Sequence, residues 1–233
     1  DAVTHELKSP IASLKLYLQT MTRHSVDAQQ QQDFHQFMLE DVERLDLLIN
    51  HLLDAARIDR GGDVGDDELV RLDELLKQCG SSICVRYRLP EETVTIACGE
   101  IQLRSRLIQL EILFRNLIDN AVKYSGAKPE VKIQVKLVGD QNVVVSIIDN
   151  GPGIPANQRR KIFGRFIRLG NELERSTPGT GLGLYLVRNV VKSLGGSIRL
   201  QDREMGTGTE FEVKLGGVIP AEALDKLETS HTN

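Results

Sequence analysis

Val131-Lys132-Ile133-Gln134-Val135-Lys136-Leu137 alternates apolar and polar residues without a break. Val143 to Ile148 follows as an apolar run, across the turn-forming Gly139-Asp140-Gln141-Asn142. Period-two alternation puts one set of side chains on each face of a strand, so this stretch reads as a β-hairpin. Phe211, Val213 and Leu215 alternate again, after Ser197 to Gln201 and a glycine-rich turn. Helical patterns cover roughly residues 67–78, 103–124 and 182–194. Alternation with one apolar face means a mixed sheet packed on helices on one side and open to water on the other. The expected fold of residues 67–217 is therefore a two-layer α/β sandwich.

Before it lies a segment of different character. Residues 1–60 carry 10 acids against 6 bases and no Gly, whereas residues 61–233 carry 23 of each. The whole net charge of −4 thus sits in the first 60 of 233 residues. Arg60-Gly61-Gly62-Asp63-Val64-Gly65-Asp66-Asp67 separates the two, and residues 61–66 read as a linker by their turn chemistry. In the first segment Leu7, Ile11, Leu14, Leu18 and Met21 form a heptad seam. A polar break, Thr22 to Gln32, precedes a second stripe of Phe34, Met38, Val42, Leu45, Ile49 and Leu52. Two matched stripes with a short connection predict an antiparallel helical hairpin. Two helices cannot enclose both apolar faces, so the expectation is a homodimer closing a four-helix bundle.

Composition excludes several classes. A nucleic-acid binder would show a basic surplus, and aromatics for base stacking are only 4% with no Trp. No apolar run approaches the ~18–20 residues a membrane span needs, so no membrane contact is expected of this chain. Cys79, Cys84 and Cys98 show no ligand spacing and read as reduced thiols in a cytosolic setting. The chain begins at Asp1 and reads as a fragment of something longer. Residues 218–233 read as a tail.

Four clusters carry chemistry. In Thr4-His5-Glu6-Leu7-Lys8-Ser9-Pro10, the heptad register puts His5 at a solvent-facing position beside a carboxylate, a plausible nucleophile. Pro10 removes a helical hydrogen bond and should bend the helix one turn later. In Asn116 to Tyr124, Asn116 and Asn120 lie one helical turn apart on one face. Their amide oxygens are hard neutral ligands suited to Mg²⁺ where phosphates supply charge, and Lys123 can reach a phosphate. Asp149-Asn150-Gly151-Pro152-Gly153-Ile154-Pro155 follows a strand, placing Asp149 to accept from an amine such as that of adenine. Pro178-Gly179-Thr180-Gly181-Leu182-Gly183-Leu184 opens a helix and offers free N–H groups to phosphate. Upstream of it, residues 159–175 hold six bases and two acids, a basic patch suited to covering a polyphosphate.

In this order and spacing, the clusters resemble those of the sensor histidine kinases of two-component signalling, over nearly the whole chain. His5 to Pro10 resembles the H box, Asn116 to Ser125 the N box and Asp149 to Pro155 the G1 box. Lys161 to Phe166 resembles the F box and Gly179 to Gly183 the G2 box. The resemblance implies a dimerisation and histidine-phosphotransfer domain (1–60) joined to a GHKL-type ATP-binding domain (67–217). It implies ATP and Mg²⁺ as ligands and a response-regulator receiver domain as partner, and makes the chain the cytoplasmic part of a sensor that is often membrane-anchored. His5 would be the phosphorylated residue, assisted by Glu6. Asn120 would hold Mg²⁺ with Asn116 near it, Lys123 would meet phosphate, and Tyr124 would lie beside the nucleotide. Asp149 would bind the adenine amine, with Gly151, Gly153 and Ile154 around it. Arg165 and Arg168 would meet the γ-phosphate, and Gly179, Thr180, Gly181, Leu182 and Gly183 would hold the polyphosphate under a lid of residues 166–180. Two departures matter: Gly164 stands where the family often has an acid, and Ser9 where dephosphorylating relatives carry Thr or Asn. Gyrase- and Hsp90-type ATPases resemble the same N box but carry Glu where this chain has Asn116, and an amide cannot take a proton from water. A third alternative is a pseudokinase that only dimerises and binds partners; His5, Asn120, Asp149 and the glycines argue against it.

Overall fold

The computed structural model describes residues 2–59, 67–169 and 179–219. The linker expected at 61–66 and most of the expected lid lie outside these residues.

Two long helices come first, α1 (Ala2–Arg23) and α2 (Ala28–Asp59). The break between them is shorter than the polar stretch suggested. Asp27 ends it: its carboxylate accepts the Gln30 N–H at 2.7 Å, while the Gln30 amide oxygen accepts the Asp27 N–H at 3.2 Å. This reciprocal capping box satisfies two helix-end donors that otherwise lack partners. Tyr17 stacks on Phe34 and Phe37 across the hairpin. α1 runs on through Pro10, which is buried. Ile11, Leu18, Val42 and Ile49 stay about half exposed, at 53%, 55%, 51% and 49%. The hairpin alone thus leaves an apolar face in water, as its two stripes require.

The α/β unit opens with β1 (Glu68–Arg71) and α3 (Leu72–Tyr87). Next come β2 (Val94–Ala97), β3 (Gln102–Ser105) and α4 (Leu107–Tyr124). The hairpin β4 (Val131–Val138) and β5 (Asn142–Asp149) follows, then α5 (Gly183–Ser193), β6 (Ser197–Asp202) and β7 (Thr209–Gly216). The main sheet has strand order β2-β4-β5-β7-β6. Only β2–β4 is parallel, so the sheet is mixed. Val143, Val145 and Ile147 of β5 and Phe211, Val213 and Leu215 of β7 point into the core under α3, α4 and α5.

Two helix boundaries differ from the periodicity reading. Residues 68–71 and 102–105 are strands, not the first turns of helices, because they pair antiparallel with each other in a separate two-stranded sheet. That pairing is non-local, and no window around either segment contains it. Val218 bridges to Leu103 and is buried, and the Ile219 N–H bonds the Gln102 carbonyl at 3.0 Å. The fold therefore continues two residues past 217.

The hairpin is not separate from the α/β unit. Ile58 of α2 joins the core of that unit, α2 packs on α5, and buried Asp54 pairs with Arg115 of α4 at 2.8 Å. Isolated surface ion pairs contribute little. This one has a buried carboxylate, whose pairing offsets a desolvation cost that water would otherwise have to repay.

Candidate functional site

A cavity of about 380 Å³ opens between α4, the end of β5, the Gly179–Gly183 loop and one face of α2. Its volume suits a small-molecule ligand. Asn116, Asn120, Lys123 and Tyr124 line it from α4, Asp149, Gly153 and Ile154 from the end of β5 and the loop beyond. Gly179, Thr180, Gly181 and Gly183 close it, and Arg168 reaches it from the F-box side.

Local geometry explains these residue types. Asn116 is buried; its amide nitrogen donates to its own helix at the Ile112 carbonyl, 2.7 Å away. That bond fixes which end of the amide faces the loop: Oδ1 stands 2.8 Å from where a Cβ on Gly183 would be. Only glycine lets α5 begin so close to α4. Gly181, at φ +69°, turns the loop back against the Phe166 backbone in a conformation other residues adopt at a cost. The buried Asn120 Nδ2 has no hydrogen-bond partner. Such an orphan needs an external group, since leaving a buried polar atom unpaired costs about 1–3 kcal/mol.

Asp149 is also buried. Its Oδ1 accepts the N–H groups of Gly151 at 2.9 Å and Thr209 at 3.0 Å. Burial pushes its pKa up, and those two N–H groups pull it back. Thr209 is a site residue the motifs did not single out; it comes from the far strand β7, so only the folded sheet brings it near. Burial lowers the Lys123 ammonium to about 8, with Arg168 and Arg86 acting in the same direction against Asp119.

Some expected residues stand elsewhere. Gly151 and Leu182 are buried beside the cavity without lining it. Arg165 lies in a separate groove, its guanidinium 4.5 Å from the Tyr185 ring and 2.5 Å from the Tyr185 hydroxyl. His5 is exposed on α1, and so is Ser9. Glu6 is held by Arg44 of α2 at 2.8 Å. Leu47 and His51, both from α2, also line the cavity, and no motif in the sequence pointed to either. His51 Nδ1 lies 2.7 Å from the Thr180 hydroxyl. Burial chiefly, then Arg115, Lys123 and Arg86, lowers its pKa to about 4, so its ring is neutral at pH 7.

Among the described residues no three or more His, Cys, Asp or Glu are grouped to hold a metal, and no helix is long and apolar enough to cross a membrane. A cation here would depend on the Asn116 and Asn120 amides, and they fit one. Asn116 Oδ1 is turned toward the loop by its own donor bond, and a half-turn of the Asn120 amide, whose Nδ2 has no hydrogen bond to lose, presents its Oδ1 there.

Comparison with known proteins agrees with this arrangement. Residues 1–61 match the His Kinase A (phospho-acceptor) domain family. Residues 106–217 match the histidine kinase-, DNA gyrase B-, and HSP90-like ATPase family. The chain is 34% identical to the sensor protein KdpD of Escherichia coli K12 over 99% of its own length and 25% of that protein's. It is 32% identical to the histidine-protein kinase/phosphatase MprB of Mycobacterium leprae, over 91% of this chain and 42% of that one. Among solved structures, histidine kinase ThkA in complex with the response regulator TrrA shares the fold. Its TM-score is 0.69 at 20% identity, covering 92% of this chain and 60% of that one. The chain thus spans between a quarter and about half the length of the curated relatives it matches.

Proposed function

Since this chain belongs to the sensor histidine kinases, joining a phospho-acceptor helical domain to a GHKL-type ATP-binding domain, we propose that it phosphorylates His5 from ATP and passes the phosphoryl group to an aspartate on a response regulator. The observation that carries this reading is the meeting of Asn116, Asn120, Lys123, Asp149 and the Gly179–Gly183 loop around one cavity. Asp149 takes the adenine amine. The loop N–H groups, Lys123 and Arg168 take the phosphates. Asn120 and Asn116 would hold Mg²⁺, which when bound offsets charge on the phosphate oxygens.

The chemistry is in-line displacement, governed by positioning and charge. A nitrogen of the His5 imidazole forms a bond to the γ-phosphorus as the bond to the β-phosphate oxygen breaks. ADP leaves, and the other ring nitrogen gives its proton to Glu6. In the described arrangement Arg44 holds Glu6 through Oε2 alone, which leaves Oε1 to take that proton. The phosphoryl group then moves from the imidazole nitrogen to a carboxylate oxygen of the receiver domain, docking near His5. Ser9, exposed one turn from His5, keeps a hydroxyl that can orient water for hydrolysis of the regulator's aspartyl phosphate to free phosphate. The half-exposed seam of Ile11 and Leu18 is covered by a second copy of the hairpin, and the assembly works on the cytoplasmic side of a longer sensor.

Incubation with γ-labelled ATP tests this. The expected result is an acid-labile label on protein that His5→Ala abolishes. Free phosphate without labelled protein would mean an ATPase, which Asn116 disfavours because an amide cannot accept the water proton. Label persisting in His5→Ala would overturn the assignment.

A further inference from the structure

The nucleotide cavity is not built by the ATP-binding domain alone. Leu47 and His51 of α2 form part of its wall. His51 Nδ1 meets the Thr180 hydroxyl at 2.7 Å, and Thr180 Oγ1 also accepts the Leu182 N–H at 3.3 Å. With that N–H already bound, the hydroxyl proton is free to donate to Nδ1; this assignment follows from the network rather than from observed hydrogens. His51 thus fixes the rotamer of a buried side chain inside the loop that would hold the phosphates.

The contact is one point of a line. Leu47, His51, Asp54 and Ile58 recur at spacings of 4, 3 and 4 along α2, which places them on one helical face. All four face the α/β unit: Leu47 and His51 the cavity, Asp54 the Arg115 guanidinium, Ile58 the core. Asp54 and Arg115 do not line the cavity, so they hold α2 in place without touching a ligand.

We propose that His51 is a positioning residue of the nucleotide site, and that docking of this face of α2 and nucleotide binding favour one another through the His51–Thr180 bond. The proposal rests on reading the cavity as the ATP site. A bond that makes docking pre-order the loop must, by linkage, make the nucleotide strengthen docking. The docked arrangement is then the loading state of the kinase. Arg44, which marks the level of Glu6, lies seven residues from His51, about 10 Å along α2, and His5 does not line the cavity.

The test measures affinity of the full chain for a non-hydrolysable ATP analogue with Mg²⁺, with helical circular dichroism as a folding control. His51→Leu fills the space without bonding and should weaken binding about three- to tenfold, the worth of one buried hydrogen bond. His51→Asn places an oxygen near the Nδ1 position and should restore most of the affinity. Asp54→Asn, remote from the ligand, should weaken it in the same direction. Thr180→Val combined with His51→Leu should cost little more than either alone. Unchanged affinity in His51→Leu would overturn the proposal. So would tighter binding in the variants, or loss in His51→Leu with no rescue by Asn and no effect of Asp54→Asn, which would leave His51 a mere piece of wall. Failure of the wild type to bind any nucleotide would overturn the ATP reading itself, a result distinguishable from all of these.

Discussion

Replacing Asp149 with Asn separates what this residue does for the fold from what it does for the ligand. Its Oδ1 holds the N–H groups of Gly151 and Thr209, joining the loop after β5 to the start of β7. An Asn oxygen at the same position keeps both bonds. The substitution changes the other half of the group, from an accepting oxygen to a donating NH₂. Burial raises the Asp149 pKa above its ordinary 3.8, so the charged form is disfavoured in the folded protein. The sign follows by linkage: a raised folded-state pKa is a stability contribution present below 3.8 and lost as pH rises through the folded value. At pH 7 the wild type therefore carries the full penalty of a buried carboxylate, and Asp149→Asn does not. Asp149→Asn should melt at or above the wild-type temperature at pH 7, and its advantage should shrink as pH falls toward 4.

Binding should move the opposite way. A hydrogen bond from the adenine amine to a carboxylate contributes about 1.5–3 kcal/mol, roughly a 10- to 150-fold change in affinity. In the variant two NH₂ groups face each other, so ADP affinity should fall by at least that factor. GDP, whose base presents a carbonyl there, should lose less or gain. Calorimetry with ADP and GDP, beside melting curves at pH 7 and pH 5, gives both readouts on one sample. ADP binding within twofold of wild type would refute Asp149 as the base-reading residue. A variant that melts well below wild type at pH 7 would refute the reasoning that Oδ1 alone serves the fold.

Two further outcomes can be stated. Arg165→Ala should leave affinity for a non-hydrolysable ATP analogue within about twofold, because its guanidinium is engaged with Tyr185 in another groove. Arg168→Ala, which removes a cation lining the cavity, should lower affinity about tenfold by the loss of one charge-assisted contact; titrations reversing this order would show that the nucleotide draws Arg165 in. Ile11→Glu with Leu18→Glu, both on the half-exposed seam, should convert dimer to monomer in sedimentation velocity while helix content persists. A dimer surviving both charges would place the interface elsewhere.

Strands β4 and β7 were legible because each alternates with one apolar face, and β5 because it is an apolar run joined to β4 by a turn. α4 was legible because Leu113, Leu117 and Ala121 form a core stripe, which the asparagines flank on the side facing the cavity. The site residues that lie in contiguous motifs were legible for the same reason: Asn116, Asn120, Lys123 and Asp149 each sit beside the element that carries them. The misses share a cause. β1 and β3 are four residues each and owe their form to one another across more than thirty residues of chain. Thr209 joins Asp149 from sixty residues away. Leu47, His51, Asp54 and Ile58 are half polar, so their periodicity registers as a solvated helix face.

That last face changes how α2 is understood. Arg44, seven residues before His51, lies on the same side of the helix, since seven residues complete almost two turns. One face of α2 therefore holds Glu6 beside the phospho-acceptor at one end and Thr180 in the glycine loop at the other. Any rotation of α2 that carries Arg44 away from Glu6 also carries His51 away from Thr180, because a helix turns as a unit. Release of Glu6 from Arg44 and release of the loop from the hairpin are then one event. A signal arriving as helix rotation would not have to act on the two sites separately. An Arg44→Gln variant, which frees Glu6 without moving His51, should raise the rate of His5 labelling at saturating ATP while leaving nucleotide affinity within twofold. A parallel loss of affinity would mean that the Arg44–Glu6 pair itself sets the position of α2, and would refute the view that Arg44 acts on Glu6 alone.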